Sequence, residues 1–338
     1  MTMRPTLRRL ASILALSSLL AGSRLLANDS VAELSVGGLV FTRTTAVSLE
    51  SEDLSISPDL VVVRYRFLNQ TAAPITLTVG FPLPDIDLSE AENYAIPAND
   101  SSNFLAFETK VDGKPINFTI RQAAYLGDKD VSAALRGAGV PLLPIGPDQA
   151  RLTELPESTR AKLIDQGLLL PNGTDDRGRQ LYIGGWKVKT AAVRQQTFPP
   201  NVPVAVEHRY RASVGVSFDT ILRKGLRQKS GLAPEVQRYK KDYCVSDSFL
   251  ASLDSLAGGA ESNAANLQER RISYVLSTGA NWAGPIKSFR LVVDKQKRDR
   301  LVSFCANDIK AISPSAVEVR ATNFTPDKDL KILIVGRF

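Results

Sequence analysis

Four carboxylates, Asp85, Asp87, Glu90 and Glu92, follow directly on Phe81-Pro82-Leu83-Pro84. Two chemistries use such a set. A pair of carboxyls at the right separation works as acid and base on a glycosidic bond, and several hard oxygens together hold a divalent cation. The Asp-x-Asp-x-Asp-Gly calcium-loop pattern is missing, so no metal is expected here. Asp85, Asp87 and Glu90 are therefore candidate binding residues, and Asp85 or Asp87 with Glu90 is the acid and base of an alternative reading as a glycan hydrolase. Trp186 and Trp282, with Tyr182, are candidates for a stacking platform under a sugar or peptide. The competing reading of these rings is core packing between sheets.

His208 is the only imidazole in 338 residues. Any nucleophile–histidine mechanism would have to use it. It alternates in phase with Val204, Val206 and Tyr210, which predicts a buried strand position. No Gly-x-Ser-x-Gly elbow, phosphate loop or dinucleotide fingerprint occurs, so the expected cofactor set is empty. The formal charge is +7, and the four arginines Arg4, Arg8, Arg9 and Arg24 near the N-terminus account for more than half of it. Nucleic-acid binding is not expected from so small a remainder. The basic stretch from Arg223 to Lys241 and the turn Lys295–Arg300 are read as solvated loops, with anionic lipid or acidic glycan as the alternative.

Residues 1–27 pair that basic start with an apolar run from Leu10 to Ala21 and small residues at Ala21-Gly22-Ser23 and Ala27. This is the layout of a secretory signal peptide, with cleavage expected after Ser23 or Ala27. The run of about a dozen residues is short of the roughly 18–20 that span a bilayer, and no later run reaches that length. Ser23 stands where a lipoprotein would carry its lipidated cysteine. In an exported chain, Cys244 and Cys305 are expected to pair, a closure worth on the order of 4 kcal/mol.

With 43% hydrophobic and 23% charged residues the chain can bury a large core. The elements that must hold the candidates are mostly strands. Val61, Val63, Tyr65 and Phe67 alternate with polar neighbours, as do Ile75, Leu77, Val79 and Phe81. Asp112-Gly113 marks a tight turn, and Pro82 and Pro84 require a strand to end or become an edge. Gly137 and Gly167 stop helical segments starting at Val131 and Pro156. Ser246 or Asp247 caps a helix reaching Leu256. Lys331–Val335 is expected to pair centrally, since an exposed apolar edge invites aggregation. The expected fold is mainly β: a β-sandwich over 28–222 with a helical insertion at 128–178, then a C-terminal β-rich (α+β) region over 223–338.

Several ordered motifs carry a resemblance. Asn28–Leu34 leading into Gly37-Gly38-Leu39-Val40-Phe41, then Tyr65-Arg66-Phe67, Phe81–Ile86, Gln196-Thr197-Phe198-Pro199, His208-Arg209-Tyr210 and Asn281–Ile286, resemble the bacterial exported family of domain of unknown function 4424. The resemblance spans about 28 to 338 and implies export but no activity. The chain departs from it at Val193-Arg194, where aromatic residues are expected. More distantly, Tyr-x-Phe followed by Phe-Pro-Leu-Pro is similar to the β-sandwich modules of inter-alpha-trypsin inhibitor heavy chains. The resulting expectation is a periplasmic, non-catalytic binding or structural module for an envelope protein, peptide or glycan. Its surface is expected at sheet edges and at the loops Pro82–Asn103 and Gly137–Pro156.

Overall fold

The computed structural model describes residues 30–35, 38–258 and 267–338, and the leader expected over 1–27 lies outside them. The chain is mainly β. An eight-stranded sheet runs in the order Lys310–Ala311, Ala316–Phe324, Ile286–Asp294, Val47–Ile56, Val61–Asn69, Pro203–Tyr210, Glu108–Val111, Lys114–Pro115. A six-stranded sheet faces it, in the order Lys129–Asp130, Thr119–Leu126, Lys187–Phe198, Ile75–Asp87, Ser30–Ser35, Gly38–Thr42. Aromatic rings bridge the two: Phe81 of the smaller sheet lies 4.7 Å from His208 and 5.8 Å from Tyr210 of the larger, and Phe198 lies 5.8 Å from Phe67. This is the expected β-sandwich.

Alternation placed residues on the correct faces. Val61, Val63, Tyr65 and Phe67 are all buried, and so is His208. Partner choice differs from the simplest reading of adjacent hairpins. Val61–Asn69 and Ile75–Asp87 go to opposite sheets. Asp112 and Gly113, at φ 48° and 78°, close a hairpin as expected. Thr119–Leu126 then leaves that hairpin and pairs with Lys187–Val193 in the other sheet.

The prolines act as edge markers within a strand that continues. Ile75–Asp87 continues through Pro82 and Pro84 and stays paired to Lys187–Phe198, with a register shift between Leu83 and Ile86 where Pro84 lies. On its other side the described ladder stops at Gly80. Among the described residues no strand pairs with that side from Phe81 onward, so proline withholds no ladder bond there.

Helices Ser132–Gly137, Ala150–Glu154 and Glu157–Asp165 fill the insertion and bury Leu135, Leu152 and Leu163 in the main core. Gly167, at φ 70°, ends the last of them, with its N–H donated to Ile164 O. A hairpin of Leu169–Thr174 with Gln180–Gly184 follows.

A third sheet carries Leu301–Phe304, Leu330–Gly336, Gln268–Tyr274, Val214–Ser217 and Tyr94–Ala95 in that order. Its strand Leu330–Gly336 is central, as its composition predicts, and both of its faces are buried. Ile332 and Ile334 join the main core, whereas Leu333 and Val335 join a second one built by helices Ala233–Asp242 and Asp247–Leu256. The second helix is capped as expected, with Ser246 Oγ accepting from Phe249 N at 3.1 Å.

The first of these helices is a correction to the reading of Arg223–Lys241 as solvated loop. Pro234 sits in its first turn, Val236 and Tyr239 form a three-residue apolar step, and Lys240 and Lys241 end it. Lysines near a C-terminus complement the helix dipole, so much of the basic character serves the helix. Its apolar step is short enough to be masked by charge.

The C-terminal strands also enter the large sheet. Ile286–Asp294 lies parallel to Val47–Ile56, pairing Leu291 with Leu54 and Val293 with Ile56. Burial on both faces of Leu330–Gly336 carries a testable consequence. Ile332→Ala and Leu333→Ala are each expected to cost about 2–5 kcal/mol, whereas Lys331→Ala should cost under about 1 kcal/mol, the scale of an exposed ion pair. Urea unfolding checks this, and a cheap Leu333→Ala would show the second core to be loosely packed.

Candidate functional site

A cleft of about 1530 Å³ opens where the large sheet meets the third one. One wall is apolar and comes from neighbouring strands: Phe289 and Leu291, then Val319, Ala321 and Phe324. The rings of Phe289 and Phe324 are 4.7 Å apart. Leu276 and Ala280, from the short turn Ser277–Asn281 and its approach, and Leu330 of the third sheet also line it. The register sets Leu291 against Val319 and Phe289 against Ala321, so these four share one face of the sheet. Phe324 is registered opposite Ile286 and reaches Phe289 after Asn323, whose φ of 50° breaks the alternation.

The disulfide stands in the cleft lining. Cys244 and Cys305 are bonded as the sequence predicts. Cys244 follows the helix Ala233–Asp242, and Cys305 follows the strand Leu301–Phe304, so the bond ties the second core to the cleft. Both cysteines are exposed.

The rim mixes charges. Lys331 Nζ pairs with Asp242 at 2.9 Å, and Asp329 accepts from Ser277 Oγ at 2.7 Å. Behind the wall, Glu318 accepts from Arg290 at 2.7 Å and Arg320 at 2.8 Å, and hydrogen bonds from Arg320 and then Arg290 hold its carboxyl down at about 2. Arg43, Lys241 and Lys328 are exposed and lie in the rim, as do Asp308 and Asp327. Such a surface suits a ligand with an apolar body and polar flanks.

None of Asp85, Asp87, Glu90, Trp186 or Trp282 lines this cleft. Asp85 is partly buried, and Asp87 takes Ser89 N–H at 3.1 Å and Ser89 Oγ at 2.6 Å. The two aspartates are second neighbours on one strand and share a face, so they do not oppose each other across a gap. Glu90 is exposed. Trp186 is 1% exposed and donates from Nε1 to Leu142 O at 2.7 Å, pinning the insertion to the sheet. Trp282 is 4% exposed and lies 4.5 Å from Phe67 and 6.1 Å from Phe198. Neither indole offers a face to solvent. Among the described residues no group of three or more His, Cys, Asp or Glu is placed to hold a metal, and no helix is long and apolar enough to cross a membrane.

In the sequence the cleft residues are strand positions and no more: Phe289, Leu291 and Val293 alternate, as do Val317, Val319 and Ala321. Nothing in either run distinguishes a lining residue from a core residue.

The architecture and the cleft together define a β-sandwich protein with an open, apolar-walled groove where two sheets meet. It belongs to the family of the domain of unknown function DUF4424, whose profile matches residues 27–333. No curated protein matches the chain by sequence. Among solved structures it is similar to a proposed nutrient binding protein from Legionella pneumophila subsp. pneumophila, with 16% identity, a TM-score of 0.42, and 91% of this chain and 72% of that one covered. An M1 zinc metallopeptidase from Deinococcus radiodurans gives 9% identity and a TM-score of 0.23 over 87% of this chain, which spans 43% of the peptidase. Likenesses at this level do not bear on what the chain binds.

Asp85 provides a direct check on the carboxylates. Burial pushes its carboxyl above the ordinary aspartate range, Lys189 and Lys187 pull it back, and Asp329 and Asp87 add to the rise. A raised folded-state value means that ionisation opposes folding: the favourable contribution is present below the ordinary range and is lost as pH climbs through the raised value. Asp85→Asn is therefore expected to raise the thermal midpoint at neutral pH and to leave it unchanged in acid. A drop at neutral pH would show that the lysines hold Asp85 ionised.

Proposed function

We propose that this chain is an exported, periplasmic protein of the cell envelope that works as a non-catalytic binding module, taking a protein, peptide or envelope polymer into the cleft. The observation that carries the reading is the apolar wall of Phe289, Val319, Ala321 and Phe324 in an open cleft of about 1530 Å³ with charges at its rim. An apolar body with a few placed polar groups is what ligand sites share.

Export is supported by the basic and apolar pattern of residues 1–27 and by the disulfide, which persists in oxidising compartments. In this reading 1–27 is a removed signal peptide, 28–222 is the sandwich with its insertion at 128–178, and 223–338 contributes the cleft and its clip. Glu90 is then a solvated residue, Asp85 and Asp87 are half-buried strand residues, and Trp186 and Trp282 are core rings.

The test is capture in the native envelope. Tagged mature protein and its Phe324→Arg variant are cross-linked in place, and the attached molecules are identified by mass spectrometry. A reproducible partner retained by the parent and reduced at least tenfold by Phe324→Arg is expected, with the variant's fold verified by circular dichroism. Equal capture by both proteins would remove the cleft from the account, and turnover of envelope glycan by the purified protein would overturn the non-catalytic reading.

A further inference from the structure

The large sheet ends at the cleft with a strand that is only half covered. Lys310–Ala311 pairs with Glu318 and Val317 and goes no further. From Val319 to Thr322 the inner side of the edge strand is engaged by Ile286–Asp294. Among the described residues, no main-chain hydrogen bond meets its outer side over Val319–Asn323. In an antiparallel ladder alternate residues turn both N–H and C=O away from their neighbour. This stretch therefore presents a row of unmatched donors and acceptors, a template for another strand.

The row is short and protected as natural edges are. Exposed Arg320 lies within it, and Asn323 turns to φ 50° and interrupts the extended run. The open extended length, Val319–Thr322, is roughly 14 Å at about 3.4 Å per residue. Its side chains alternate between Val319 and Ala321, withdrawn beside Phe289 and Leu291, and Arg320 and Thr322, which are exposed. A backbone laid alongside meets the same alternation: every second residue enters the apolar cleft and the others face water.

The rim carries both signs of charge. Lys331 pairs with Asp242, and the exposed cations Arg43, Lys241 and Lys328 stand among Asp308, Asp327 and Asp329, the last keeping its charge while it accepts from Ser277 Oγ.

We propose that the cleft receives an extended segment of a partner protein, added as a strand along Val319–Thr322, with apolar residues at alternate positions and polar residues between them. The proposal deepens the binding reading above and rests on it. A polypeptide is favoured over a glycan because only a second backbone matches a regular row of alternating N–H and C=O groups.

The test selects linear peptides from a random phage-displayed library on the full mature protein with its disulfide intact. Selected peptides are synthesised, titrated calorimetrically, and remade with a single N-methyl amide at each position in turn. Strand addition predicts an alternating apolar pattern, and N-methylation at every second amide should weaken binding about tenfold while the intervening amides change it little. Binding insensitive to N-methylation everywhere would overturn strand addition. If that binding is still lost in Phe324→Arg, the cleft reading survives and only the strand mode falls; if Phe324→Arg leaves it intact, both fall. Failure to select any peptide overturns the proposal, as does a homodimer cross-linked through Thr322, which would make a second copy the occupant.

Discussion

The parallel pairing of Ile286–Asp294 with Val47–Ile56 is the constraint on which the rest of the molecule turns. Parallel neighbours cannot be joined by a tight turn, and here residues 57–285 lie between them. The pairing puts Leu291 beside Leu54 and carries Ala316–Phe324 and Lys310–Ala311 onto the same sheet. Without it there would be no apolar wall and no edge at the cleft. Closing so long a loop costs only logarithmically more than closing a short one, so the topology is affordable in stability, although such non-local contacts slow folding.

The second fixed point is Leu330–Gly336. Because Ile332 and Ile334 face one core and Leu333 and Val335 the other, the strand cannot slip by one residue without exchanging the two sets. The helices over its outer face are then positioned by burial, and the Cys244–Cys305 bond clips the end of one helix to the adjoining strand. Glu318, held between Arg290 and Arg320, ties the edge strand to its inner neighbour from the solvent side. The cleft is thus bounded on every side by elements anchored elsewhere. A site on a rigid frame needs little reordering when it binds.

What could be read from the sequence was local. Alternation in Val61–Phe67 identified buried faces, Asp112-Gly113 identified a hairpin, and the apolar run Ile332–Val335 identified a central strand. These follow from the two-residue period of a strand and from the φ values that glycine permits. Partner choice did not follow, since a period assigns a face and not a neighbour; hence Ile75–Asp87 and Thr119–Leu126 crossing to the other sheet were not foreseen. The helix Ala233–Asp242 was hidden because its apolar contacts are few among many charges. The candidate site was the least legible part. Asp85, Asp87 and Glu90 drew attention by lying close together along the chain, whereas the cleft is built from Phe289, Ala321 and Phe324, ordinary apolar strand residues that only the register and the turn of the backbone at Asn323 bring together.

Whether the edge is open can be read by residue-resolved amide hydrogen exchange of the free mature protein across Ala316–Phe324. If this strand is an open edge lining the cleft, alternate amides between Val319 and Asn323 exchange rapidly while those turned toward Ile286–Asp294 are slow. Addition of the native envelope fraction should then slow the rapid set. Uniform protection of all these amides in the free protein would mean that the edge is already paired, and would contradict the account.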